Sequence, residues 1–324
     1  MPYAIRFSRT GGPEVLQRVD VELPPPGPGE ARIQQSACGV NFIDTYHRTG
    51  LYPVPLPSGI GKEGAGVVLE VGPGVTEVAP GDRVVYCDGP LGGYASERNH
   101  PARFLVKLPD RVAEQDAAAG FLRAMTVEYL LNRAYKCQPG ETILFHAAAG
   151  GVGLIAAQWA RAMGVEMIGT VGSPEKAKLA LEAGCAHAID YTRENFVERV
   201  LEITGGRKVP VVYDSVGKDT WPASLDCLRP FGLLVSFGNS SGPVTGADLG
   251  LLAAKGSLFV TRQTLMTYTA DRARMLEMAD RVFSMMQQGK LDLSPRQTYS
   301  LSDAAEAHRD LEARRTVGGS ILVP

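Results

Sequence analysis

The pattern of apolar and polar positions changes character twice along the chain. Up to about Pro109, short β-branched runs (Ala31 to Gln34, Gly66 to Val71, Asp82 to Tyr86) are separated by turn clusters such as Pro24-Pro25-Pro26-Gly27-Pro28-Gly29 and Gly72-Pro73-Gly74. Short strands broken by turns at this spacing predict a compact β-rich barrel. From about Arg123 to Gln263 apolar runs alternate with helical stretches. Glu141 to His146 reads as a buried strand, Val152 to Met163 as a helix and Val165 to Val171 as the next strand. A helix follows from Pro174 to Glu182, with proline suiting its first turn. Val209 to Tyr213, Leu233 to Phe237 and Leu258 to Thr261 read as further strands. Continuous apolar strands alternating with helices imply βαβ units and a parallel sheet covered on both faces, the doubly wound α/β class. Beyond Gln263 the pattern is helical over Thr269 to Gln288 and Ser302 to Ala313, and it ends in the apolar run Ser320 to Val323. This tail is expected to pack back on the amino-terminal region.

The most informative stretch is Phe145-His146-Ala147-Ala148-Ala149-Gly150-Gly151-Val152-Gly153, which follows a predicted strand and opens a predicted helix. Counted from Ala148, the spacing is A-x-G-x-x-G. A glycine turn alone fits a plain tight turn equally well. Between a strand and a helix, however, small residues let the backbone fold sharply and approach a pyrophosphate, while the helix start presents N–H groups and its positive dipole end. Gly153 would let the helix pack closely. At the end of the second strand, Gly172 stands where NAD-specific folds place an acid for the ribose 2′-hydroxyl. Without that carboxylate a 2′-phosphate is not repelled, and Ser173 and Lys176 are candidates to bind it. NADPH is therefore the expected coenzyme.

Composition narrows the alternatives. A length of 324 residues fits about two domains and suffices to bury a core without disulfide or metal. A formal net charge of −2 leaves no footprint for general nucleic-acid binding. Cys38, Cys87, Cys137, Cys185 and Cys227 are scattered and never form C-x-x-C, against a disulfide framework or a clustered structural zinc. The longest apolar stretch, Ala147 to Ala160, is broken by three glycines and is too short to span a bilayer. With no secretory signal in the first ten residues, a cytoplasmic location is expected. The five histidines lack ligand-like spacing, and His146 reads as structural. No G-x-S-x-G elbow and no P-loop lysine is present.

Taken in order, Asn41-Phe42-Ile43-Asp44-Thr45-Tyr46, Gly61-Lys62-Glu63-Gly64-Ala65-Gly66, Pro80-Gly81-Asp82-Arg83-Val84, the turn ending at Gly153, Val212 to Gly217 and Ser236 to Gly242 form a specific set. Over essentially its full length the chain resembles the zinc-free quinone oxidoreductases, the zeta-crystallin-like group of the medium-chain dehydrogenase/reductase superfamily. The resemblance implies a GroES-like β-barrel catalytic domain over residues 1–124, a Rossmann nucleotide domain over 125–263, a C-terminal segment, 264–324, that returns to the catalytic domain, and a site in the cleft between the two domains. It implies NADPH contacts from Phe42, Ile43, Asp44, Thr45, Tyr46, Tyr129, Gly150, Gly151, Val152, Gly172, Ser173, Lys176 and Tyr191, with Lys176 and Tyr191 gripping the 2′-phosphate. Val216, Phe237, Gly238, Phe259, Val260, Thr261 and Arg314 complete the implied set. A homodimer, through the nucleotide domains, is implied as well.

Zinc alcohol dehydrogenases of the same superfamily carry a cysteine where Asn41 stands here and a histidine where Lys62 stands, leaving Glu63 as the single remaining ligand type. Zinc needs three or four such ligands, so no metal is expected. A quinone accepts electrons readily and can take a hydride with geometry and a few hydrogen bonds alone. Asn41, Tyr46, Tyr52 and Thr126 are the expected catalytic residues. The tyrosines combine a stacking face with a polar tip, although both suit simple packing as well. Two alternative readings are an NADPH-dependent reductase of enone or alkenal double bonds, with Tyr52 as the acid, and a crystallin-like or RNA-binding role without catalysis.

Overall fold

The computed structural model describes all residues, 1–324, and the chain divides into two compact units: Met1–Leu122 with Thr269–Pro324, and Arg123–Tyr268.

The first unit is organised by one long strand, Glu30–Val40. Along its whole length it pairs antiparallel with Glu63–Val71, from Ala31 opposite Val71 to Gly39 opposite Glu63. Its other edge is shared. The first half pairs with Glu97–Pro101, and the last residues pair with Gly319–Val323, Leu322 lying opposite Cys38. Pro295–Ser300 continues the sheet beyond Gly319–Val323, and Arg83–Tyr86 and Val106–Lys107 continue it beyond Glu63–Val71. Tyr3–Phe7, Gln17–Asp20 and Ser58–Gly59 make a small antiparallel sheet of three strands. Inward-facing Ala31, Ile33, Val68, Val84, Tyr86 and Leu105 fill one core, and Ile5, Phe7, Val40, Ile60, Tyr94 and Leu322 fill another. Cys38 is fully buried, and loss of solvation pushes its thiol up to about 12. It is a small packing residue.

The second unit holds a six-stranded sheet, parallel throughout, in the order His187–Asp190, Glu166–Val171, Thr142–Phe145, Val209–Asp214, Leu228–Ser236, Phe259–Arg262. Numbered along the chain this is 3-2-1-4-5-6, the doubly wound order, with its reversal between the first and fourth strands. All six residues of the central Val209–Asp214 are buried, as the apolar run required, whereas Phe259–Arg262 at the rim of the sheet has three exposed residues of four. His146 is structural: its Nδ1 lies 2.9 Å from Thr170 Oγ1 and its Nε2 2.9 Å from Ser224 Oγ. Burial holds the imidazole below its ordinary range, so it serves as a neutral strut.

Five helices escaped the apolar pattern: Phe42–Thr49, Glu114–Tyr129, Phe196–Ile203, Leu249–Ala254 and Leu265–Thr269. The first buries polar residues, Asp44, Thr45, His47 and Arg48, so it shows no apolar stripe. Asp44 and Arg48 are joined by a buried chain of hydrogen bonds. Arg48 Nη1 faces His308 Nδ1 at 3.0 Å, His308 Nε2 faces Tyr94 Oη at 3.1 Å, and Tyr94 Oη donates to Asp44 Oδ2 at 2.9 Å. The guanidinium is donor-only, which fixes the His308 proton on Nε2. The chain therefore runs in one direction from cation to anion and ties Phe42–Thr49 to the C-terminal helix Ala304–Glu312.

Burial, aided by the Arg48 charge, pushes His308 down from 6.5 to about 3. Between these values the unfolded chain binds a proton that the folded chain refuses, so stability falls as pH drops through that window. His308→Gln is expected to reduce the slope of unfolding free energy against pH between about 6 and 4 by close to one bound proton. Urea titrations at several pH values read this directly. Parallel slopes for wild type and variant would show that His308 does not titrate on unfolding.

Candidate active site

In the second unit the first strand ends at Phe145, and the chain turns through Ala147, which adopts a positive φ of 56°. Helix Gly151–Met163 then begins from Gly150, which supplies no side-chain cap. Three other helices of this unit are capped by the polar residue from which they start: Ser173, Asn195 and Asp248 each accept from a first-turn N–H. The start of Gly151–Met163 keeps its N–H groups and dipole for an outside acceptor. Gly153 has no room for a side chain, since a Cβ there would lie 2.6 Å from the backbone of Ala148. The turn sits beside the reversal point of the sheet, where open α/β folds bind ligands.

The neighbouring strand ends at Val171. A Cβ on Gly172 would approach Tyr191 Oη to 2.6 Å, so glycine makes way for the phenol, and Tyr191 itself is 46% exposed. Lys176 is half-buried on the first turn of Pro174–Ala183. Ser173 is engaged locally: its Oγ accepts from Lys176 N at 3.3 Å, and its hydroxyl holds the Glu175 carboxyl below the usual range. Its expected role in binding phosphate is thus shared with that of a helix cap. The nearby Asp190 carboxylate turns away to Thr192, accepting from its N at 3.0 Å and its Oγ1 at 2.7 Å.

Val216, Phe237 and Gly238 lie at the same ends of the fourth and fifth strands. Asp214 Oδ1 accepts from Val216 N at 2.7 Å, and Phe237 N donates to Asp214 O at 2.8 Å. Gly150 to Val152, Gly172 to Lys176, Tyr191, Val216, Phe237 and Gly238 therefore follow the carboxyl ends of adjacent strands. Phe259, Val260 and Thr261 do not. They pair with Leu233, Leu234 and Val235, one or more rows below the strand ends, and Phe259 and Val260 are 60% and 40% exposed. The residue in the end row is Arg262, opposite Ser236, which reaches Ser236 Oγ at 2.9 Å and Gly238 O at 2.8 Å and pins that loop. No sequence motif singled it out. Tyr129 is buried, its ring stacked on Tyr268 at 4.8 Å, and Thr126 is buried on the same helix. Arg314 belongs to the first unit, exposed just past Ala304–Glu312 with a φ of 59°.

In the first unit Asn41 precedes helix Phe42–Thr49 and is held from two sides. Its N donates to Asp44 Oδ2 at 2.8 Å and its Nδ2 to Glu63 Oε2 at 2.7 Å, while Glu63 Oε1 accepts from Leu122 N at 2.6 Å. Glu63 and Asp44 are fully buried, and Thr45 Oγ1 donates to Phe42 O at 2.7 Å. The carboxylate of Asp44 faces the interior, so any ligand contact at this residue runs through other atoms. Tyr46 and Tyr52 come together edge to face, ring centres 5.2 Å apart, with Phe42 5.9 Å from Tyr46 and His47 5.9 Å from Tyr52. Ile43 is half-buried on the same helix. Lys62 pairs with Asp88 at 3.2 Å, and Asp88 also accepts from Gly89 N at 2.7 Å and Thr269 Oγ1 at 2.5 Å. No group of three or more His, Cys, Asp or Glu side chains is placed to hold a metal ion.

Residues 27–110 match the alcohol dehydrogenase GroES-like domain family and residues 151–283 the zinc-binding dehydrogenase family. The quinone oxidoreductase of Pseudomonas aeruginosa is 54% identical, with both chains fully covered. The chain belongs to the quinone oxidoreductases of the medium-chain dehydrogenase/reductase superfamily. A crystal structure of the Escherichia coli quinone oxidoreductase complexed with NADPH superimposes with a TM-score of 0.98 at 52% identity, covering 99% of this chain and all of that one. The 2-haloacrylate reductase of a Burkholderia species is 44% identical over the whole of this chain and 99% of its own length. Asn41 and Lys62, both within the first of these matched segments, are bonded to the carboxylates of Glu63 and Asp88.

The second unit fits a phosphate-bearing dinucleotide on three observations: an uncapped helix start, a turn closed to side chains at Gly153, and a glycine at 172 that makes room for the Tyr191 phenol. Gly153→Ala forces backbone against backbone, and it is expected to weaken binding of reduced pyridine nucleotide at least tenfold and to lower the melting temperature. Calorimetric titration with a thermal melt checks both, and unchanged affinity would remove the turn from the binding site.

Proposed function

We propose that this chain is an NADPH-dependent quinone reductase that works without a metal ion. The observation that carries the coenzyme preference is the corner at Gly172, where no carboxylate stands and Lys176 and Tyr191 are at hand. A lysine and a phenol suit a 2′-phosphate, since both donate hydrogen bonds and the lysine adds charge. The main-chain amides of Gly151 and Val152, following Gly150, would receive the pyrophosphate, with Val216, Phe237 and Gly238 lining the same strand ends. Bound NADPH supplies the hydride. The barrel unit contributes the groups that orient the acceptor: Tyr46 and Tyr52 present ring faces and hydroxyls, and Asn41, immobilised by Glu63 and Asp44, presents its amide. Thr126 is the proposed fourth member, on the nucleotide side.

Metal independence is supported by the chemistry of the residues present. Asn41 and Lys62 are poor zinc ligands, and Glu63 is already saturated by Asn41 and Leu122. All five cysteines are buried, and burial raises their thiols, away from the thiolate form that binds zinc. Free cysteines also suit a reducing, cytoplasmic setting, and no helix is long and apolar enough to cross a membrane. A homodimer is proposed through the nucleotide unit, whose rim strand Phe259–Arg262 leaves one edge and two large apolar side chains exposed.

The test is a titration of NADPH against NADH followed by an acceptor screen spanning quinones and unsaturated ketones. Lys176→Ala is expected to weaken NADPH about 10- to 100-fold and NADH by less than about threefold, the range of one charge-assisted bond. Equal losses would place the preference elsewhere. Replacing Tyr46 and Tyr52 by Phe together is expected to lower quinone turnover at least tenfold, and unchanged kinetics would remove both hydroxyls from the reaction.

A further inference from the structure

Arg262 stands in the last row of the rim strand Phe259–Arg262, opposite Ser236 at the carboxyl end of Leu228–Ser236. Its Nη1 donates to Ser236 Oγ at 2.9 Å and to Gly238 O at 2.8 Å. The Asn239 amide, its oxygen toward the guanidinium, accepts from Nη2 at 3.1 Å, while its nitrogen donates to Gly238 O at 2.9 Å. These anchor points bracket the peptide link between Phe237 and Gly238. On its far side the same loop lies against the loop that follows Val209–Asp214. Ser240 N donates to Ser215 O at 3.1 Å, Ser241 N to Val216 O at 2.9 Å and Lys218 N to Gly242 O at 3.1 Å. The approach is main chain on main chain. A Cβ on Gly238 would lie 2.5 Å from Ser215 O, and one on Gly217 would lie 2.5 Å from Gly242 O. The loop is also tied to the glycine turn, since the Phe237 ring lies 5.6 Å from Phe145, the last residue of the strand that feeds that turn.

In a doubly wound sheet a dinucleotide lies across the strand ends, one half to each side of the glycine turn. With the 2′-phosphate at Lys176 and Tyr191 beside the second strand, the ends of the fourth and fifth strands are left for the nicotinamide half. We propose that Arg262 is a positioning residue for that half of the coenzyme: it holds the Phe237–Gly238 main chain in the shape that receives the nicotinamide, acting through the loop. This assignment rests on the NADPH reading above. The stretch Ser236-Phe237-Gly238-Asn239-Ser240-Ser241-Gly242 is rich in glycine and serine, so holding it in one shape costs much conformational entropy. The Arg262 bonds meet that cost on folding, and less of it falls on coenzyme binding. Arginine suits the task because its planar fork keeps two terminal nitrogens at fixed spacing and bridges several oxygens, whereas lysine offers one point of charge.

The decisive comparison is between NADPH and adenosine 2′,5′-bisphosphate, which carries the adenosine half and its 2′-phosphate but no nicotinamide. Both are titrated calorimetrically into wild type, Arg262→Met, Arg262→Lys and Ser236→Ala. Arg262 is exposed, so its replacement leaves the core intact. Arg262→Met is expected to weaken NADPH about tenfold or more and the bisphosphate by less than about twofold, the range of lost charge-assisted bonds. Arg262→Lys restores part of the loss. Ser236→Ala, which removes a single anchor, is expected to weaken NADPH by about two- to fivefold. Amide exchange without coenzyme gives a second readout: residues 236–242 exchange faster in Arg262→Met, while the central strand Val209–Asp214 is unchanged. Equal losses for the two ligands, or an unchanged affinity for NADPH in Arg262→Met and Ser236→Ala, would overturn the role of Arg262. A folded wild type that binds neither ligand would instead overturn the coenzyme reading itself.

Discussion

The barrel unit depends on two buried carboxylates that converge on one residue. Glu63 holds the side-chain nitrogen of Asn41 and Asp44 holds its main-chain nitrogen. A buried carboxylate is tolerated only where donors surround it, and each of these has more than one. Glu63 spans the end of its own strand, Asn41 and the N–H of Leu122, so three segments distant in sequence share a single anion. Asp44 is joined through Tyr94 and His308 to Arg48 on its own helix, and Arg48 is bonded in turn to Glu312. A rotation of helix Phe42–Thr49 would break several of these bonds and strand charge in the interior. The positions of Phe42 and Tyr46, and the approach of Tyr52, follow from that rigidity.

The second unit solves a different problem with different means. Where the barrel fixes side chains by buried charge, the nucleotide unit presents main chain: an uncapped helix start, a bend closed to side chains, and loops at the ends of parallel strands. Its polar side chains mostly hold those loops in shape. Asp214 binds the amides of Val216 and Gly217, Arg262 binds Ser236 and Gly238, and His146 joins Thr170 to Ser224. Main-chain donors cost no side-chain entropy when a ligand arrives, which suits a site for an extended, anionic molecule.

These two strategies explain what the sequence revealed and what it hid. The parallel strands were legible because burial on both faces gives continuous apolar runs, and Thr142–Phe145, Glu166–Val171 and Val209–Asp214 fall within a residue of where the pattern put them. The glycine turn was legible because its constraint is local. Helix Phe42–Thr49 was hidden because its buried face is polar and its partners lie as far away as His308 and Glu312. Helix Glu114–Tyr129 was hidden for the opposite reason: buried on several sides, it carries no clean stripe. Strand register sets Phe259, Val260 and Thr261 one or more rows below the strand ends and puts Arg262, which no motif marks, in the end row. The bond between Asn41 and Glu63, 22 residues apart, is a tertiary fact that no local pattern encodes.

The same bond bears on how the barrel unit came to be suited to the proposed reaction. Asn41 presents an amide and Lys62 an ammonium, each bonded to its own carboxylate. Neither side chain is a thiolate or an imidazole, the groups that zinc favours, yet both direct N–H groups. On the proposed reading no Lewis acid takes part, and hydrogen bonds orient an acceptor that is already electrophilic. Such a site stabilises a charge that forms late on an acceptor already prone to reduction. It is less suited to generating an alkoxide from an alcohol, which a zinc ion does by lowering the pKa of the bound hydroxyl. The carboxylates that anchor Asn41 thereby link the stability of the barrel unit to the class of acceptor it favours.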